Sequence, residues 1–336
     1  MLTHGGIVSN LRQAAQALPQ DTNDVLLALA PFAHVIGLCG LLLRGMAAGA
    51  TVVTMPRFAP EEFLYALSRH RVTQTIVPPS IIDFLATSPA VDRHDLSALR
   101  VLYVGGAGAA AEVERACADR LGCVVAQGYG MTEGGPMIAV NPIVDKNRVR
   151  YGSAGLPLGG VQIRIVDPED GTVLGVGATG EIHVSSPALM AGYLNDPEST
   201  ALTIDDAGWL HTGDLGYLDS DGYLWIIDRL KDLLKYKGHQ VAPAEVEAVL
   251  RRHPAVSDAA VVGMPDTRAG ELPVAFVSLR TPGAPDELIS FVATRVSVPK
   301  RIHDVRVLDE IPRSPAGKIL RRALRDQLPR RAPPLR

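Results

Sequence analysis

Between residues 51 and 127, short β-rich apolar runs alternate with stretches of helical period. Thr51–Met55 (TVVTM) predicts a strand, and Pro60–Arg71 an amphipathic helix opened by proline. Thr73–Val77 predicts a second strand, Ser80–Ala86 a short helix and Arg100–Val104 a third strand. The glycine-rich turn Gly105–Gly108, a helix over Ala110–Leu121 and a fourth strand at Cys123–Gln127 follow. Apolar strands separated by helices predict a parallel sheet covered on both faces. Ligands of such sheets gather at the carboxyl ends of the strands. Here those ends are Pro78-Pro79, Gly105-Gly106 and Gln127–Glu133.

The pattern then changes. Residues 151–228 show short alternating strands around Gly and Asp-Gly turns, among them Val161–Val166, Asp170-Gly171, Gly180–Ser185 and Asp221-Gly222. This predicts an antiparallel, barrel-like β subdomain. A compact α+β pattern follows Arg229: helix Pro243–Arg252, strands Ala259–Met264 and Val274–Leu279, helix Asp286–Val296, strand Val305–Leu308 and helix Ile319–Leu328. The expected organisation is a large domain over 1–228, with an α/β part to 150 and a β-rich part beyond. A hinge at 229–231 leads to a smaller α+β domain over 232–330. No internal repeat is visible, and Pro329–Arg336 is expected to fray.

Composition narrows the class. A length of 336 residues suggests about two domains. With 47% hydrophobic and 21% charged residues, wholesale disorder is excluded. A net charge of −3 disfavours a dedicated nucleic-acid binder. The longest apolar run, Val35–Leu43, is broken by Gly37 and Gly40, so no membrane span is expected. The start, MLTHGGIVSN, lacks signal-peptide character. Cys39, Cys117 and Cys123 form no CxxC, which makes a reducing cytoplasm the simplest home. Arginine outnumbers lysine 27 to 6, so each lysine draws notice. Lys231, Lys235 and Lys237 cluster, and Lys318 stands in a Ser-Pro-Gly loop.

Two segments carry candidate chemistry. Val104–Glu114 (VGGAGAAAEVE) is strand, glycines, helix, but its spacing is not G-x-G-x-x-G and the next strand ends in Gln127 rather than an acid. Its glycines serve either a tight turn or the close approach of a flat or phosphorylated ligand. Gln127–Gly135 (QGYGMTEGG) gathers glycines, a ring, a hydroxyl and a carboxylate after a buried strand. Thr132 is suited to donate to a phosphate and Glu133 to hold Mg²⁺, a hard cation that takes oxygen ligands. The plain alternative is an ordinary strand-to-loop turn. The nine histidines show no metal-ligand spacing, and Tyr151–Gly155 is not a G-x-S-x-G elbow.

This run resembles the nucleotide-binding segment of the adenylate-forming superfamily, which includes acyl- and aryl-CoA ligases, firefly luciferase and peptide-synthetase adenylation domains. Further stretches resemble its motifs in the same order: Pro31–Leu38 (PFAHVIGL), Gly208–Asp214 (GWLHTGD), Asp228–Gly238 (DRLKDLLKYKG), Gln240–Glu247 (QVAPAEVE) and Pro312–Lys318 (PRSPAGK). The likeness is greatest to the 4-coumarate–CoA ligase and luciferase branch. It implies ATP-dependent acyl-CoA synthesis through an acyl-adenylate, with Mg²⁺ as cofactor and a carboxylic acid, ATP and coenzyme A as substrates. By this resemblance Glu133 holds the metal and Thr132 contacts phosphate. Gly105, Gly106, Ala107, Gln127, Gly128 and Tyr129 line the nucleotide site. Asp214 takes the ribose hydroxyls, and Arg229 also reaches the ribose. Lys318 is the catalytic lysine on carboxylate and α-phosphate. Lys231 is the hinge, and Lys235 and Gln240 serve the thiol step. His34, Gly128, Pro136 and Met137 shape the acyl pocket. Plainer alternatives are an Asx turn for Asp214, a surface ion pair for Arg229, a solvated loop for Lys318, a strand edge for the lysine cluster and a core histidine for His34. Arg321, Arg322 and Arg325 read as a solvated helix face.

The resemblance also shows departures. The family's Ser/Thr/Gly-rich phosphate loop ending in Pro-Lys-Gly is not found, and in relatives it precedes a stretch like Met1–His4. A truncated gene, a late start or a fragment is therefore expected. Gly108-Ala109 replaces a usual proline, and Val298–Lys300 a usual aromatic. Two rival functions follow: an adenylation enzyme loading an acyl carrier protein, and a catalytically inactive remnant.

Overall fold

The structure is a computed structural model, and it describes residues 1–281, 285–314 and 318–328. The chain divides into two compact units, Met1–Thr212 with Gly216–Ile226, and Gly213–Leu215 with the chain from Ile227 onward.

In the first unit, Thr3 caps helix α1 (His4–Ala17) by accepting the Gly6 amide at 2.9 Å. Strand β1 (Val25–Ala28) follows. The apolar run Ile36–Leu43 forms a π-helical segment that continues as α2 (Arg44–Ala48). Its glycines answer to packing. A Cβ on Gly37 would lie 2.3 Å from the Pro31 carbonyl oxygen, and one on Gly40 would lie 2.9 Å from Ile76. Next come β2 (Thr51–Thr54), α3 (Pro60–Arg69), β3 (Gln74–Val77), α4 (Pro79–Thr87), β4 (Val101–Val104) and α5 (Ala111–Leu121). Strands β5 (Val124–Gly130), β6 (Met137–Val140) and β7 (Leu156–Pro157) complete a sheet ordered β2-β1-β3-β4-β5-β6-β7. The pairs from β2 to β5 are parallel, and β6 and β7 turn antiparallel. Strands β3 and β4 are buried along their whole length, which is why they read as unbroken apolar runs. Phe63, Leu64 and Leu67 of α3 and Ile82 and Leu85 of α4 form one core with Leu102 and Val125. Glu114 of α5 is buried, and its Oε2 accepts the Gly152 amide at 2.6 Å. All three cysteines are free and buried.

The β-rich stretch comprises β8 (Gln162–Val166), β9 (Val173–Leu174), β10 (Gly180–Ser185), β11 (Leu210–Leu218) and β12 (Leu224–Arg229), with α6 (Pro197–Thr203) capped by Asp196. The sheet order is β12-β11-β10-β8-β9, and β8 pairs antiparallel with both β10 and β9.

The second unit contains β13 (Leu234–Tyr236), β14 (His239–Val241), α7 (Pro243–Arg251), β15 (Val256–Asp266), β16 (Gly270–Leu279), α8 (Pro285–Ala293), β17 (Asp304–Val307) and α9 (Arg321–Arg325). Its sheet runs β14-β13-β16-β15, with β17 parallel to β16. Leu234, Val246, Leu250, Val261, Phe276, Leu288, Val292 and Leu324 share a core. The helix expected over Ile319–Leu328 is shorter. Ile319 bridges to Arg313 instead, and helix begins only at Arg321. The tail Pro329–Arg336 lies outside the described residues.

Candidate functional site

Strands β4 and β5 are parallel neighbours, with Val104 opposite Gln127. The turn after β4 therefore starts beside Gln127, and β5 runs on in the same direction to Gly130. Gly105, Gly106 and Ala107 form that turn, and Gly106 takes φ +85°, a value that favours glycine. Gln127 fixes the turn: its Oε1 accepts the Ala109 amide at 2.9 Å and its Nε2 donates to the Ala109 carbonyl at 3.0 Å. Gly128 and Tyr129 continue β5 and are half-buried.

Thr132 and Glu133 stand on a 3₁₀ turn, Thr132–Gly134, between β5 and β6. Thr132 is exposed and Glu133 half-buried. Residues 188–193 clasp this turn. The Met190 amide donates to the Glu133 carbonyl at 2.9 Å, and the Tyr193 hydroxyl donates to Glu133 Oε1 at 3.0 Å. Burial, joined by the facing carboxylate, pushes the Tyr193 phenol up, so it remains the donor. Gly135 sits at φ +91°, and a Cβ there would lie 2.0 Å from the Ala188 carbonyl oxygen. Tyr193 escaped the sequence reading; its one local signal is the preceding Gly192.

The acyl-pocket candidates occupy two segments. Gly128, Pro136 and Met137 belong to the β5–β6 hairpin, where Asn10 of α1 holds Met137 through its carbonyl at 2.7 Å and its amide at 3.3 Å. His34 precedes the π-helical segment, half-buried, and its Nδ1 accepts the Ile36 amide at 3.2 Å.

In the second unit the structure brings two other candidates together. Arg229 Nε lies 3.0 Å from Oδ1 of the buried Asp214. Lys231 is exposed on the turn Leu230–Asp232. Lys235 and Gln240 face each other across the β13–β14 hairpin, both exposed. Lys237 and Gly238 form its two-residue loop with φ +48° and +82°, the left-handed pair that a type I′ turn requires. The Lys237 amide donates to the Ala269 carbonyl at 2.7 Å. Lys237 thus has a structural account. Lys318 is exposed on the second of two paired arms, 312–314 and 318–320; residues 315–317 lie outside the described residues. The Ser314 amide donates to the Lys318 carbonyl at 2.8 Å, and the Leu320 amide to the Pro312 carbonyl at 2.9 Å. The expected solvated arginine face holds for Arg322 and fails for Arg321, which is largely buried and paired with Glu247.

One grouping was not visible in the sequence. Glu181 and His183 of β10 and His211 of β11 bring possible ligand atoms within 4.8 Å of one another. Their geometry suits a charge network better than a cation. Arg164 Nη2 lies 3.3 Å from His183 Nδ1, which leaves Nε2–H to face Glu181 at 3.2 Å. The two rings stack at 4.0 Å and 23°, so their in-plane lone pairs do not converge on one ion. Among the described residues, no helix is long and apolar enough to cross a membrane.

The fold and these loops define the class. Residues 1–194 match the AMP-binding enzyme family, and residues 245–318 match the AMP-binding enzyme C-terminal domain. The chain belongs to this family. It is 44% identical to the 4-coumarate–CoA ligase of Pinus taeda over 98% of this chain and 62% of that protein. It is 43% identical to 4-coumarate–CoA ligase 1 of Petroselinum crispum, again over 98% of this chain and 62% of the relative. Among solved structures, ATP-bound MatB of Rhodopseudomonas palustris superposes with a TM-score of 0.91 at 30% identity, over 97% of this chain and 64% of that one. The o-succinylbenzoate CoA synthetase of Bacillus subtilis, in complex with its acyl-adenylate intermediate, gives 0.86 at 33% identity, over 97% of this chain and 66% of that one. The chain thus spans about 62% of the length of these curated relatives.

Proposed function

We propose that this chain carries the chemistry of an AMP-forming acid–thiol ligase, activating an aryl or acyl carboxylic acid with ATP and passing it to coenzyme A. The observation that carries this reading is that β5 serves both candidate turns: its Gln127 stands opposite Val104 and fastens the glycine turn Gly105–Ala107 through Ala109, and the turn that follows β5 carries Glu133 with its carboxylate preset by Tyr193.

The acid's carboxylate oxygen attacks the α-phosphorus and pyrophosphate leaves. Both reactants are anionic, so positive charge must oppose them. Mg²⁺ would supply part of it, and the oxygen donors of Glu133 suit that hard cation. Thr132 offers a hydroxyl to the phosphates. Gly105, Gly106 and Ala107 let the nucleotide approach bare backbone. Asp214, oriented by Arg229, accepts from the ribose hydroxyls. Lys318 brings an ammonium to the carboxylate and α-phosphate. The thiol sulfur then attacks the acyl carbon and AMP leaves, a step assigned to the face bearing Lys235 and Gln240, with Lys231 as the pivot. His34, Gly128, Pro136 and Met137 border the acyl group. The free thiols of Cys39, Cys117 and Cys123 support a cytoplasmic setting.

The test is ATP–pyrophosphate exchange with the purified chain, Mg²⁺ and a panel of aryl and fatty acids, followed by mass spectrometry for acyl-CoA. Acid-dependent exchange and CoA thioester are expected when the Ser/Thr/Gly-rich phosphate loop, not found in these 336 residues, is supplied on an upstream extension. Exchange that does not depend on any acid overturns the reading.

A further inference from the structure

The hairpin that carries Lys318 is fastened at both of its roots. On the first arm, Arg313 reaches Asp258 of β15 through Nη2 at 2.7 Å and Nε at 3.2 Å. On the second arm, Arg321 lies only three residues beyond Lys318, within about 10 Å of chain. Its Nη1 donates to Glu247 Oε1 of α7 and to the Val261 carbonyl of β15, the latter at 2.9 Å. Its Nε stands 3.7 Å from Asp232 Oδ2, at the end of the Leu230–Asp232 turn. Arg325 adds a contact to Asp232 Oδ1 at 3.6 Å. Glu247 is buried, and its Oε1 also accepts the Val261 amide at 2.8 Å. At the other end of the turn, Asp228 Oδ2 accepts the Ala244 amide of α7 at 2.8 Å.

One guanidinium therefore joins the Lys318 hairpin, helix α7, strand β15 and the turn bearing Lys231. A planar fork can serve several acceptors at once, whereas an ammonium is a point charge. We propose that Arg321 is a positioning residue: it holds the Lys318 hairpin and the Leu230–Asp232 turn in one register, so that the lysine and the pivot move as a single body. The inference rests on the reading of Lys318 and Lys231 proposed above.

Amide hydrogen exchange on the full chain tests the coupling without turnover. Arg321→Lys keeps a cation against Glu247 and preserves the fold; Arg321→Met removes the charge. Both are expected to speed exchange at the Leu320 and Leu233 amides by tenfold or more, with the β15–β16 ladder unchanged. Arg313→Met should loosen Leu320 alone. Unchanged exchange at either amide overturns the proposal. So does an equal rise throughout the second unit, which would mean that Arg321 only supports packing.

Acyl-adenylate formation supplies the second readout. Arg321→Lys should lower kcat, leave KM for acid and ATP in place, and have no added effect on the residual rate of Lys318→Ala. A raised KM at intact kcat, or additive losses, overturns it. A chain that forms no acyl-adenylate even with the upstream extension refutes the proposed function, while exchange still decides the coupling.

Discussion

Glu114 places a titrating group inside the first unit. Its ordinary value is 4.5, and burial pushes it up to about 7 against the opposing pull of the Gly152 amide. The folded state therefore binds this proton more tightly than the unfolded chain. The contribution is most favourable below about pH 4.5 and is lost as pH rises through about 7. Glu114→Gln cannot titrate. Urea unfolding should show it gaining on the parent by up to about 3 kcal/mol at about pH 8, with little difference at about pH 4. An equal difference at both values would show that Glu114 does not titrate in this way. Lys318→Ala should lower acyl-adenylate formation by about 10²–10³-fold and spare thioester formation from supplied acyl-adenylate. Equal loss in the two half-reactions would remove Lys318 from the activating step. At this scale residue types were legible and partners were not. Thr132 and Glu133 declared themselves by clustering a hydroxyl and a carboxylate among glycines. Tyr193 and Arg321 did not, because their partners lie 60 and 74 residues away along the chain.

Among the elements, the β13–β14 hairpin shows why short strands hide. Each has three residues, and the loop is Lys237-Gly238 in place of the common Asn-Gly signal. A lysine at φ +48° is strained by its Cβ. Lys237→Gly should therefore raise stability by about 0.5–1 kcal/mol in thermal or urea unfolding. A loss would mean that the lysine side chain outweighs the backbone. The same hairpin sets Lys235 against Gln240. Lys235→Ala or Gln240→Ala should slow CoA ligation while leaving pyrophosphate exchange near the parent rate, the reverse of Lys318→Ala. A matching fall in exchange would remove them from the thiol step. Strand β1 was missed for a different reason: its sequence VLLA has little β-branched content, so its pattern does not separate strand from helix. Helix α1 begins His-Gly-Gly, which lowers helix propensity, and its Thr3 cap is a weak signal when taken alone. Strands β3 and β4 were easy because burial on both faces enforces continuous apolar sequence.

At the scale of the whole molecule, the parallel sheet and the change to α+β structure were both readable from period alone. The sequence expectation placed a hinge at 229–231, and contacts group Ile227 onward with the second unit. Because the core cluster described for that unit runs from Leu234 to Leu328, a fragment from Ile227 to Arg336 should fold alone. Calorimetry of the fragment should give one cooperative transition; a broad, non-cooperative melt would contradict this. The cysteines lead further. Cys39, Cys117 and Cys123 all lie in the first unit, and the second has none. Burial raises all three thiols, Cys117 and Cys123 to about 12, so they are nearly inert to alkylation while the unit stays closed. Opening restores ordinary reactivity. Maleimide capture during a denaturant pulse thus acts as a clock for one half of the chain, blind to the other, with no label engineered in.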